Sequence, residues 1–166
     1  MLIRTKSILA MSVICATPTL YAQEAGRIQA GQFDLIPSFT SSMAYVDNVA
    51  NARDNQRKIY SWRTILSPEL IAATQVDGNP VQIGYRLERG VYFSSDNDDY
   101  TDHFIEASGN FELNSRHRVS ALAQYEDGHE DRGTGFSIGT GLDISTPDTY
   151  KSSNLSAEYS YGAVTS

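Results

Sequence analysis

The chain has 166 residues, 40% of them hydrophobic and 20% charged, with a formal net charge of −7. That length allows one domain with a sizeable core. An acidic chain lacks the basic face that phosphates need, so nucleic acid is excluded as a partner, and the polar content excludes a multi-helix membrane protein.

Arg4 and Lys6 form a short basic opening, and Ile8 to Ala16 is uncharged and apolar. Thr17-Pro18-Thr19 interrupts that stretch, and Leu20-Tyr21-Ala22 ends it on a small residue. This is the layout of a signal peptide over residues 1–22, cut after Ala22. A transmembrane anchor would need about 20 apolar residues. Cys15, the one cysteine, follows Ile14, too large for a lipoprotein site. After cleavage the chain can form neither a disulfide nor a thiolate metal site.

Residues 23–32 form a short lead, and from Phe33 onward the apolar pattern has period two, the mark of a strand. Phe33–Val46 sets Phe33, Leu35, Phe39, Met43 and Tyr45 on one face against small or polar residues on the other. Ile59–Ala72 sets Tyr60, Trp62, Leu66 and Leu70 against Arg63 and Glu69. Val81–Phe93 sets Ile83, Tyr85, Leu87 and Val91 against Gln82, Arg86 and Glu88, with Arg89 a misfit on the apolar face. Phe104–Leu113 and Arg118–Asp127 repeat the alternation, and weaker strands are predicted over Phe136–Ser145 and Asn154–Gly162. No segment carries a sustained helical stripe.

The expected strands run about ten to fourteen residues, beyond the five or six usual in soluble sheets and enough for the 9–11 that cross a membrane when tilted. Connections alternate in length: 47–58, 94–103 and 128–135 are long, whereas 75–80 and 114–117 are short, with 146–153 intermediate. Long outer loops and short periplasmic turns are the asymmetry of an outer-membrane barrel. Tyr45, Tyr60, Trp62, Tyr92, Phe93, Tyr100, Phe104 and Tyr125 fall near the expected outer boundary, as an interfacial girdle would. The alternative is a soluble all-β barrel or sandwich with these aromatics as its core; strand length and loop asymmetry oppose it.

Five pieces then occur in order: Tyr45-Val46-Asp47-Asn48, Tyr85 through Tyr92 (YRLERGVY), Asp99 through His103 (DYTDH), Ser115-Arg116-His117-Arg118, and His129 through Gly135 (HEDRGTG). The chain resembles, from about Gly31 to Gly162, the β-barrel porins of proteobacterial exopolysaccharide clusters, the VpsM/EpsL-like outer-membrane proteins. That resemblance implies an N-terminal portion of a longer barrel. Seven expected strands, where bacterial single-chain barrels use even numbers, agree, as does the absence of a C-terminal aromatic residue. Residues 33–162 are expected to be a partial barrel and 163–166 a truncated end, with Phe33–Val46 and Asn154–Gly162 as open edges.

Three groups of residues carry possible chemistry. Asp96, Asp98, Asp99 and Asp102 form the densest acidic run; alternate oxygen ligands could hold Ca²⁺, but Thr101 stands where a calcium loop wants glycine. A solvated outer loop is the simpler reading. His129, Glu130, Asp131 and Arg132 place an imidazole beside carboxylates, yet neighbours in sequence do not face one another, and an outer loop pinned by Arg132 to a nearby carboxylate fits better. Arg63, Glu69, Arg86, Glu88, Glu106, Arg118, Gln124, Glu126 and Glu158 all share the polar face. They would set selectivity or bind saccharide hydroxyls, or else fill the lumen as cross-strand pairs.

The reading is an all-β, antiparallel up-and-down transmembrane barrel, non-enzymatic, porin-like and tied to exopolysaccharide or capsule biosynthesis or export. It predicts a Gram-negative outer membrane, with lipid, lipopolysaccharide, polysaccharide and other export components as partners, and it requires neither cofactor nor metal. The alternatives are an exported soluble β-protein binding glycans in the periplasm, and a glycan-processing enzyme on a β scaffold.

Overall fold

A computed structural model describes residues 26–135 and 142–163. The expected signal peptide lies outside the described residues. Seven antiparallel strands follow one another in sequence order across a single sheet: β1 (Ile28–Ala30), β2 (Phe33–Val46), β3 (Ser61–Val76), β4 (Asn79–Tyr92), β5 (Tyr100–Asn114), β6 (His117–Glu130) and β7 (Asp148–Tyr161). One 3₁₀ turn, Asp96–Asp98, caps the β4–β5 connection. Up-and-down order is what hairpins produce when each strand pairs with the next. Tight turns at Gly31, at Asp77-Gly78 and at Ser115-Arg116 close one end of the sheet, and Gly31 and Gly78 take the positive φ those turns need.

The long connections, 47–60, 93–99 and 131–147, all lie at the other end. They meet there: Asn51 Nδ2 donates to the Gly133 carbonyl at 2.8 Å, and Arg132 reaches Asp98. The loop asymmetry read from the sequence is therefore present, but its last step differs. β6 pairs directly with β7, from Glu130 opposite Asp148 to His117 opposite Tyr161. No place remains between them for a strand over Phe136–Ser145. Of that stretch, 136–141 lie outside the described residues and 142–145 form no strand. The final strand thus begins at Asp148 rather than Asn154 and runs opposite to the direction expected. The count of seven is completed instead by β1, drawn from the lead segment and paired only with the start of β2.

β2 to β7 are each 14 to 16 residues long. Their ladders are nearly continuous. In β3 the pairing with β4 skips Ser67 and Pro68 without changing register, because Pro68 has no N–H to donate. Among the described residues β2 and β7 stand near opposite edges of an open sheet.

Register sets the two faces. Leu35, Ala72, Ile83, Ala107, Ala123 and Leu155 are successive partners across six strands, so one unbroken row on one face is apolar. That face is open: Leu155 is 81% exposed, Phe39 64% and Ile83 51%. A soluble sheet would bury such a row, whereas the wall of a membrane barrel carries one on its outer side. The buried apolar residues among those described are Val49, Ala50, Ala52, Tyr92 and Tyr100, all at the long-loop end. The densely packed part of the molecule is therefore a cap over one end and not a central core.

On the opposite face one glycine is required by close approach and a second sits in a tight one. Gly90 faces Tyr100 and Gly128 faces Tyr150 across the ladders, each under the partner's ring. A Cβ at Gly90 would run into the Tyr100 ring. Gly90→Val should destabilise the protein by about 1–3 kcal/mol through overpacking. The same change in a Tyr100→Ser background should cost much less, measured by unfolding of the refolded protein in detergent. Equal costs in the two backgrounds would show that the ring is not the obstacle.

Candidate functional site: a polar trough and its loop cap

The polar face forms a trough of about 340 Å³, lined among others by Glu69, Arg86, Phe104, Glu106, Gln124 and Asn154. Its floor is two adjacent ladder rows. One runs Ile71, Gly84, Glu106, Gln124, Asn154; the other runs Glu69, Arg86, Phe104, Glu126, Ser152. The amides bridge strands: Asn154 Nδ2 donates to Gln124 Oε1 at 3.1 Å, and Gln124 Nε2 donates to Glu106 Oε2 at 2.9 Å. Arg86 sits 3.8 Å above the Phe104 ring centre and donates to Glu88 Oε2 at 2.9 Å. Ser38 donates to Glu69 at 3.0 Å, Tyr150 to Glu126 at 2.6 Å and Tyr100 to Glu88 at 2.9 Å.

Carboxylates outnumber the guanidinium here, and each holds at least one donor while keeping lone pairs for solute. Glu69, Arg86, Glu106, Gln124 and Glu126 line the trough, with Glu88 beside it. The other predicted residues of this face lie away from it. Arg63 is at the loop end, donating to the Tyr92 hydroxyl at 3.2 Å. Arg118 is at the turn end, donating to the Gly162 carbonyl at 3.3 Å, and Glu158 faces Ser120.

Arg89, the misfit on the apolar face, is accounted for by position. It lies at the long-loop edge, where it donates to Asp99 Oδ2 at 2.9 Å and to the Tyr100 carbonyl at 3.1 Å. Lys151 and Asp127, at 3.1 Å, mark the same edge on β6 and β7. The other edge carries His117, Tyr159 and Tyr161, with His117 Nδ1 and the Tyr159 hydroxyl at 2.5 Å. Lys151 and Tyr161 are ten residues apart along β7, which at ~3.3 Å per residue and ~40° tilt spans about 25 Å, the height of a barrel's apolar band.

The expected girdle divides. Tyr45 and Trp62 pack edge to face at 5.4 Å on the open face, and Tyr60 and Phe93 are exposed. Tyr92, Tyr100 and Phe104 leave the girdle for the trough side, the side on which alternation alone sets Tyr92 and Phe104: Tyr92 and Tyr100 are buried beneath the loops, and Phe104 lies under Arg86. A second aromatic band stands at Tyr159 and Tyr161, at the end opposite to the one the sequence suggests, because the final strand runs in the other direction.

The loop residues form a cap. Arg132 is buried and forks onto the buried Asp98, with Nε at 2.6 Å from Oδ1 and Nη2 at 2.5 Å from Oδ2. Ser95 Oγ also donates to Asp98, and Arg132 Nη1 donates to the Ile144 carbonyl at 2.9 Å. Asp99 accepts from the Tyr92 backbone N–H at 2.8 Å and turns its other oxygen to Arg89. Asp102 faces His129, and Asp96 stays exposed. The acidic run therefore diverges: each buried carboxylate turns to its own donor rather than to a shared centre.

The sequence predicts that His129 does not face its sequence neighbours, and the structure differs at Asp131, two residues on. His129 also meets a carboxylate from another strand: its Nδ1 lies 2.9 Å from Asp102 Oδ2, and its ring stacks on Tyr100 at 3.6 Å. Its Nε2 lies 3.5 Å from Asp131, and this partner holds the Asp131 carboxyl below the usual range. Only a doubly protonated ring donates to both sides. Glu130 ends β6 opposite Asp148, its carboxylate against Gly135.

A family model described as putative beta-barrel porin 2 matches residues 22–160. No curated protein and no solved structure matches the chain.

Proposed function

The chain belongs to this β-barrel porin family, and from that premise we propose that it forms outer-membrane barrel wall, non-enzymatic and porin-like, in a Gram-negative cell. The observation that supports this most is the separation of faces. An exposed apolar row spans six strands on one side, and a hydrogen-bonding trough lies on the other. Lipid and lipopolysaccharide would cover the first face, and solute would meet the second. A periplasmic glycan-binding protein would have to bury residues such as Leu155 that stand open here.

The solute we propose is a polysaccharide, handled together with other exopolysaccharide-export components. The five ordered motifs support this, as do the amide and carboxylate groups of the trough, which suit sugar hydroxyls. Two measurements test the proposal. Fractionation should place the protein with outer-membrane markers, resistant to alkaline extraction; recovery from the soluble periplasm would overturn the barrel reading. Deleting the gene should lower surface polysaccharide, with Arg86→Ala restoring it less well than the wild-type chain. Unchanged polysaccharide in the deletion would overturn the export role alone.

A further inference from the structure

Buried side chains gather at one place in this molecule, and that place is the outer end of the trough. Tyr92 and Tyr100 enter it from β4 and β5 on the trough face, and Val49 comes down onto both from the first long loop, with Val46 and Ile59 alongside. The Val49 N–H donates to the Ile59 carbonyl at 2.9 Å, which holds that loop folded inward. Together these residues form a stopper over the trough. Tyr92 touches the third loop only at long range, its hydroxyl donating to Asp131 Oδ1 at 3.5 Å, and the main fastening between loops lies elsewhere. It is the ion pair of Arg132 with Asp98, which ties the third loop to the second, helped by Asn51 bonding to Gly133 from the first.

The pair is 6% and 2% exposed. Burying two charges is unfavourable compared with apolar packing of the same volume, so such a pair contributes little net stability but fixes one arrangement. Arg132 also holds the Ile144 carbonyl, so its single guanidinium joins both sides of its own loop to the neighbouring one. Removing either charge leaves the other buried without compensation, and the loops would separate to bring it into water.

We infer that Arg132 and Asp98 are the latch of an outer gate, holding Val49, Tyr92 and Tyr100 as a stopper over the trough. The inference rests on the outer-membrane reading and adds to it a closed state with an identified fastening. Opening needs only the loops to part, since the strand ladders beneath do not depend on the pair.

The test uses the full chain in outer membranes. Arg132→Gln and Asp98→Asn should each speed hydrogen exchange of residues 47–60 and 92–99 by on the order of a hundredfold. Exchange in the 104–126 strands should stay at the wild-type rate. The same cells should admit vancomycin, too large for a closed mouth, faster than wild type. Arg132→Lys, which keeps the charge but loses the fork, should fall between. Tyr92→Ala removes the ring that Val49 packs on, so it should raise vancomycin entry and speed exchange of 47–60 while the Arg132–Asp98 pair still holds 94–99. Lys151→Ala, at the exposed rim, should change neither readout. If the protein fractionates with the outer membrane and Arg132→Gln leaves loop exchange and vancomycin entry unchanged, there is no latch. If exchange rises equally in 104–126, the pair supports the whole fold and the gate is refuted. A wild-type chain absent from the outer membrane would overturn the underlying reading, and the gate with it, at the fractionation step.

Discussion

Arginine in place of Ile83 should destabilise the membrane-embedded protein by about 2–4 kcal/mol, whereas arginine in place of Gln124 should cost less than about 1 kcal/mol. Ile83 is half exposed and sits in the row that joins Ala72, Ala107, Ala123 and Leu155, with apolar neighbours on either side. Ile83 lies six residues from Arg89 along β4, and its row partner Leu155 lies six from Tyr161 along β7, so a guanidinium there is well inside both edges. Gln124 is on the trough face, where an arginine would meet Glu106 and Glu126 and replace an amide hydrogen bond by a charged one. Leu87 gives an internal comparison. It faces His103 and lies two residues from Arg89, so its arginine variant can reach the rim and should be milder than Ile83→Arg. Urea titration of protein refolded in lipid vesicles measures all three. Equal costs at 83 and 124 would mean that both faces see the same solvent, and the barrel wall would be refuted.

The two faces were legible because period two needs no knowledge of partners. Once Phe33–Val46 is a strand, the sides of Phe39 and Thr40 follow. Register is different, since it depends on where each turn falls. Gly90 under Tyr100 follows from an antiparallel pairing across the 93–99 connection, and period two does not supply that register. Without it, Tyr92 and Tyr100 look like boundary aromatics when they are stopper residues. The same gap explains His129: its partner Asp102 is on the neighbouring strand, one position from the last recorded pair, His103 with Asp127. Phe136–Ser145 failed for a further reason. It alternates as well as the true last strand does, but β6 has one free edge, and Asp148–Tyr161 occupies it along its full length. The polar run at the start of β7 read as a loop because its residues lack apolar weight, although their backbone groups pair as well as any others. Arg132 with Asp98 is 34 positions apart in sequence and joins two loops; the nearby carboxylate was predictable, but which one was not.

Truncating His129 to alanine should destabilise the loop end of the sheet more than Asp102→Asn does. Asp102 is buried, and the ladder sets it opposite Glu88, so two carboxylates share that part of the trough. His129 supplies the compensating charge, with Nδ1 within 3.0 Å of both Asp102 oxygens. Removing the imidazole leaves Asp102 buried beside a like charge and takes the stacking partner from Tyr100. Removing the Asp102 charge is less severe: His129 keeps Asp131, and the amide can still accept a hydrogen bond from the ring. The double variant His129→Ala/Asp102→Asn should recover much of the loss, because the uncompensated carboxylate has gone. A double-mutant cycle read by urea unfolding in lipid should give a coupling of about 1.5–3 kcal/mol between the two positions. Additive single effects would show that solvent already screens Asp102, and that the histidine holds this end of the sheet through its stacking on Tyr100 alone.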